Sequence, residues 1–295
     1  MHYSFLWKRK YESIMNNQTA NQNPAFPGAI QMMLLASPFT LSVTELEAYL
    51  REELDNQSVT VQGSENAEDG YVITWGGMAF AVMVIDKPIP ADTFNVALRT
   101  SHRLKNGEQL IKDHKAHLII SPLNTTDDQL RAIYSALRVM TIADLLAQRA
   151  KPLAFYWSNS EVLADNEQFA QAVRVAGEAM EKFNSDVPNA LYGLPTTYLA
   201  GIRILSSKDK NMFGAITKGL DALTGFEIQI DPFQCKPSEV AKHLYSMVGY
   251  ILANGPVFSE GNTIGIERDK QFRMRKIPAN DVLPARWAMN VETIN

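Results

Sequence analysis

Residues 71–85 constrain the fold more than any other stretch of this chain. YVITW and MAFAVMVI flank Gly76-Gly77, and two adjacent glycines accept the positive φ angles that a two-residue hairpin turn demands. Antiparallel sheet must form here. The second run is apolar on both of its alternating faces, which places it in the interior of a sheet rather than at its edge. With 295 residues the chain is long enough for one large domain, or two modest ones sharing a core.

The remaining pattern supplies partners for that hairpin. Residues 29–36 are an apolar run ended by Ser37-Pro38, and read as a buried first strand. Ser42 and Glu45 form a capping box ahead of a helix with the stripe Val43, Leu46, Leu50 and Leu54. Short strands are expected at 59–62, 116–121 and 153–157, with a polar, acidic loop over 63–70. A modest helix follows Asp92. Thr126-Asp-Asp-Gln129 reads as a second capping box, opening a helix through Leu130, Ile133, Tyr134, Leu137 and Met140. Another helix, capped near Ser160 or Asp165, carries Phe169, Val173, Ala176, Met180 and Phe183. The second half is strand-rich, at 198–205, 212–217, 226–230, 263–267 and 272–277. Pro237 opens its one long helix and Asn254-Gly255-Pro256 stops it.

Hairpins mixed with helices of irregular spacing argue for α+β, with mixed, mainly antiparallel sheets, helices packed on one face and a pseudo-two-lobed outline. Residues 1–28, with the Asn/Gln-rich tract 16–27, read as a disordered leader or an upstream start ahead of Met15; a partner-binding arm built on Phe5, Leu6 and Trp7 is the competing reading. Residues 29–295 then form one α+β domain, with a possible sub-division near 185–190.

Composition narrows the function classes. Apolar residues make up 46% and charged residues 20%, and the formal net charge is −4, so any nucleic-acid contact needs a local basic patch. The one cysteine, Cys235, leaves no intrachain disulfide and no cysteine-built metal site. No apolar run approaches the roughly 18 residues of a membrane span. The expected setting is the cytoplasm, without a membrane partner.

Candidate chemistry centres on the strand 226–230 and the loop SEGNTIG. Alternation puts Phe226, Ile228 and Ile230 on one face and Glu227, Gln229 and Asp231 on the other. If Glu227 and Asp231 converge with Glu260, Asn262 and Thr263, their oxygens suit a hard cation or acid–base work; structural hydrogen bonding explains the same residues. His102, His114, His117 and His243 lack acidic partners at metal-site spacing, and Cys235 lacks a base. There is no P-loop, no G-x-G-x-x-G and no G-x-S-x-G. Nothing in the residues asks for a cofactor or metal. Arg268, Lys270, Arg273, Arg275 and Lys276, with Phe272 among them, suit nucleic acid, a soluble edge strand or a docking edge for a protein.

The stretch TKGLDALTGFEIQI at 217–230 is similar to the "GL..LG..ELE" segment of a bacterial family known as a domain of unknown function. EGNTIG at 260–265 is similar to that family's "DGDTIG". Lys87-Pro-Ile-Pro90 and the His117 strand resemble it more loosely, so the likeness runs from Ala29 to the C-terminus. Glu260 and Asn262 stand where the family tends to carry aspartates, which weakens a cation site. Some relatives lie in polymorphic-toxin or type VI secretion neighbourhoods, and the resemblance therefore implies an immunity or accessory role. Two functions follow as expectations: a non-enzymatic protein-binding module that neutralises a toxin or effector, with nucleic acid an unfavoured partner, or a hydrolase using Glu227, Asp231 and the 260–263 loop.

Overall fold

A computed structural model describes residues 26–63, 70–101, 104–183, 185–209, 211–255, 257–267 and 270–293. The leader up to residue 25, most of the acidic loop, His102 and Arg268 lie outside these. Phe26 already joins the fold, its N–H donating to Thr126 O at 2.8 Å.

The hairpin forms as its sequence requires. β3 (Gly70–Trp75) and β4 (Met78–Ile85) pair antiparallel around Gly76 and Gly77, whose φ angles are +55° and +77°. They belong to a seven-stranded sheet in the order β2-β3-β4-β5-β1-β6-β7, with β1 at Gln31–Leu35, β2 at Thr60–Gly63, β5 at Ala116–Pro122, β6 at Ala154–Trp157 and β7 at Val162–Ala164. Every pairing in it is antiparallel.

In β1, Met33 and Leu35 face a core shared with the helix α4 (Gln129–Ala150), while Leu34 faces the other way. Helix α1 (Val43–Glu53) has the expected Ser42–Glu45 box. The opposite face is covered by a 3-10 turn at Ala91–Phe94 and two short helices, α2 (Asn95–Thr100) and α3 (Gly107–Asp113). Phe94, Ala97 and Ile111 pack there on Leu34, Tyr156 and Leu163. The first sheet thus carries helices on both faces. The cap of α4 is Asp128, whose carboxylate accepts Arg131 N–H at 2.7 Å. Thr126, expected in that role, accepts Asp128 N–H instead, in a turn two residues upstream. Asp165, not Ser160, caps α5 (Asn166–Lys182).

The second sheet has six strands in the order β11-β12-β13-β10-β9-β8. These are β8 (Gly201–Ser206), β9 (Met212–Lys218), β10 (Glu227–Gln234), β11 (Thr263–Glu267), β12 (Lys270–Ile277) and β13 (Arg286–Thr293). Its pairings are antiparallel except β10 with β13. After the helix α6 (Val187–Tyr192), residues 198 and 199, expected to open a strand, instead close the helical turn α7 (Thr196–Leu199), and β8 starts at Gly201. One turn of helix, α8 (Asp221–Thr224), precedes β10, and α9 (Pro237–Asn254) follows it. Val240, Leu244, Val248 and Ile251 of α9 share a core with Ile228, Ile230, Phe272, Met274 and Met289. That core is continuous with the one under α4. Tyr198 bridges the halves, its hydroxyl donating to Gln31 Oε1 at 2.7 Å.

Candidate functional site

The site is built where β9 turns into β10. Gly219 and Gly225 adopt φ of +88° and +81°, the left-handed region open to glycine. Between them α8 makes a single turn. Thr224 Oγ1 ties that turn back to Leu220 O and Phe226 O. The loop therefore folds over the first residue of β10, and Glu227 is only 1% exposed.

Alternation alone expects Glu227 to face outward beside Gln229 and Asp231; the loop closing above it reverses its exposure. Thr217 Oγ1 donates to Glu227 Oε2 at 2.5 Å, Gly219 N–H to Oε1 at 2.6 Å, and Leu220 N–H to Oε2 at 3.3 Å. Burial, and after it the negative charge of Asp221, push the Glu227 carboxyl up to about 8, against the pull of Thr217 and Gly219. Glu227 therefore keeps a proton to higher pH than an ordinary glutamate, because a buried carboxyl beside a second carboxylate resists ionisation. Behind the loop Gly219 abuts the first half: a Cβ there would sit 2.6 Å from Asn159 C. Asn159 in turn accepts Ile30 N–H at 2.8 Å and donates to Gly28 O. Glu227 thus fastens the loop through which the second sheet meets the first.

Asp231 lies further along β10, on the open side of the sheet. It pairs with Arg275 of β12 at 2.8 Å and accepts Gln229 Nε2 at 2.6 Å. Arg275 reaches it across β13, where its register neighbour is the small Ala288. Arg286 of β13 stands beside Glu227 in register, yet its Nε donates to Gln229 Oε1 at 3.0 Å.

The loop 259–263 does not join Glu227, since β12 and β13 intervene. Glu260 Oε2 accepts Lys276 N–H at 2.7 Å, Asn262 Oδ1 accepts Ser259 N–H at 2.7 Å, and Thr263 opens β11 opposite Arg273. These oxygens shape the end of the β11–β12 hairpin.

The other candidates are likewise engaged. His114 Nε2 accepts Ile89 N–H at 2.8 Å while Nδ1 meets Ile111 O, so both ring nitrogens are occupied. His117 Nδ1 donates to Lys87 O at 2.7 Å, and burial draws its pKa below the ordinary histidine value. Burial pushes the Cys235 thiol up, away from a reactive thiolate. Among the described residues no three His, Cys, Asp or Glu side chains gather as a metal set would. A cavity of about 20 Å³ between residues 26–29, the 122–126 loop, α4 and Ala222 has room for roughly one water. No helix among the described residues is long and apolar enough to cross a membrane.

With this geometry in hand, the comparison with protein families falls on one region. Residues 216–292 match a family model described as Domain of unknown function (DUF4261). The match begins in β9 and ends in β13, so it takes in the Glu227 loop, α9 and the 259–263 loop. It is narrower than the Ala29-to-C-terminus likeness that the motifs imply. No curated protein and no solved structure gives a match.

Two parts of the site lie outside the strands and motifs expected above. β13 is one: its alternation of Trp287, Met289 and Val291 with Arg286, Ala288 and Asn290 is the period-two signal that finds it. The other is the role of Thr217, Gly219 and Asp221 around Glu227. The glycine-bounded segment GLDALTG announces a tight loop there, but not what the loop encloses.

Proposed function

We propose that this chain is a non-catalytic protein-binding module acting in the cytoplasm, in the manner of an immunity protein that neutralises a bacterial toxin or effector. One observation carries the reading. The carboxylates that a hydrolase would use are separated and bound into the fold, whereas the side of the second sheet away from α9 presents Arg273, Arg275 and Asn290 to solvent. Occluding a partner needs a rigid surface with a few strong contacts rather than a reactive constellation.

A hydrolase remains the second reading on the strength of one group. Glu227, with its raised pKa and Asp221 beside it, has the acidity of a proton donor. Its oxygens, however, are taken by three donors beneath a closed loop.

Co-expression with the neighbouring open reading frames tests the first reading. The expected result is a stoichiometric partner that is toxic alone and harmless beside this chain. If no neighbour is both bound and neutralised, the reading fails. Hydrolytic activity abolished by Glu227→Gln, in a variant that keeps its fold, would establish the alternative.

A further inference from the structure

We propose that the open face of the second sheet docks an extended acidic segment of a protein partner, with carboxylates at alternate positions, through Arg273 and Arg275, with the charge of Arg286 beneath them. This deepens the binding reading above and rests on it. Arg273 and Arg275 are two residues apart on β12, and their side chains are 47% and 46% exposed. Register places Arg286 on the same face, opposite Ile277 and two residues before Ala288, which pairs with Arg275.

The charges on this face do not close among themselves. Glu292 takes Arg273 at 2.6 Å and Asp231 takes Arg275 at 2.8 Å. Arg286 has only the neutral Gln229 at its Nε, and its Nη1 is enclosed with no hydrogen-bond partner among the described residues. Its register neighbour Glu227 has turned to Thr217, Gly219 and Leu220. Arg286 therefore lies beneath this face with no carboxylate hydrogen-bonded to it among the described residues. The two exposed ion pairs are weak enough to exchange partners.

Spacing and surroundings select the ligand. Alternate residues of a strand are about 6.8 Å apart, so Arg273 and Arg275 match carboxylates at i and i+2 of an extended segment. Single-stranded nucleic acid is gripped by aromatic rings on which its bases stack. The aromatics here lie on the far side, Phe272 against His243 and Trp287 against Phe258.

The test uses the full chain and a labelled decapeptide of alternating Glu and Thr, read by fluorescence anisotropy at about 50 mM and about 300 mM salt. Binding that weakens with salt is expected, at least about tenfold weaker in Arg273→Gln/Arg275→Gln and a few-fold weaker in Arg286→Gln. Arg174→Gln, on the distant helix α5, should leave it unchanged, and circular dichroism checks that each variant folds. Equal binding of a Gln–Thr decapeptide, indifference to the double variant, tighter binding of decathymidylate, or no binding at all overturns the proposal. A toxic partner neutralised equally by wild type and double variant removes this surface but keeps the binding reading. Peptide binding that needs these arginines, with no toxic neighbour found, keeps the surface and removes the neutralising role.

Discussion

In the first sheet every strand pairing is antiparallel and helices lie on both faces, so its central strands bury apolar side chains both ways: Met33 and Leu34 of β1 are fully enclosed on opposite sides. In the second sheet α9 covers one face, and the other carries arginines and acids. The one parallel pairing among the described residues, the buried acid and the stretch matched by the family model all fall in the second. Burial on both faces lets volume and shape decide stability, and such positions are interchangeable within limits of size. A half-open sheet depends more on particular polar atoms, and there a single group can alter pH response or recognition while the fold persists.

Removing core volume from the first sheet should have the largest effect. Leu118, in β5 between β4 and β1, is fully enclosed. Leu118→Ala is expected to lower stability by about 4 kcal/mol, read as a shift of the urea midpoint. A loss below about 1 kcal/mol would mean that this sheet is far less tightly packed than its burial indicates.

The joint between the sheets comes next. Gly219→Ala places a Cβ 2.6 Å from the Asn159 backbone at a φ of +88°, for an expected loss of about 3 kcal/mol. The same exchange at Gly77, whose φ is +77° but where an added Cβ would meet no heavy atom within 4 Å, should cost about 1 kcal/mol. Equal losses at the two glycines would show that contact with the first sheet contributes nothing at Gly219.

The buried acid of the second sheet makes a pH-dependent prediction. Glu227 has its carboxyl raised from 4.5 to about 8 in the fold. Between those values the folded state keeps a proton that the unfolded state has lost. Its contribution is thus full below about pH 4.5 and disappears as pH rises through about 8. Wild type should lose stability steadily between about pH 5 and about pH 8 through this group, and Glu227→Gln should flatten that part of the profile. Thermal unfolding across that range checks it, and parallel profiles for the two proteins would show that Glu227 is ionised throughout.

Most of the architecture was legible because it rests on periodicity and punctuation. The Gly76-Gly77 hairpin, the Ser42–Glu45 box, Pro237 at the start of α9 and the alternation of Phe272 and Met274 with Arg273 and Arg275 are local signals, and local sterics settle them. The candidate site was legible in its address but not in its arrangement. Exposure of Glu227 depends on a loop folding back from residues 217–220. The distance from Glu227 to the 260–263 loop depends on β13 inserting between β10 and β12. Both are decided by pairing over long sequence separations, which a period-two pattern does not encode. Thr126 shows a smaller failure of the same kind: the spacing of a capping box was present, but Asp128, two residues on, was the better cap.

The smallest expected effect completes the contrast. Arg275→Ala breaks the ion pair with Asp231 on the open face, where the arginine side chain is 46% exposed. Water already screens such a pair, so stability should change by less than about 0.5 kcal/mol, an order of magnitude below the effect at Leu118. Asp231 keeps the Gln229 amide at 2.6 Å, so its carboxylate is not stranded by the change. Urea titration of the two variants side by side reads the difference directly. A loss above about 2 kcal/mol would mean that the arginine clamps β12 to β10 across β13, making the face structural. A negligible loss means the fold does not need Arg275 where it stands, and its guanidinium is free to exchange Asp231 for a partner's carboxylate.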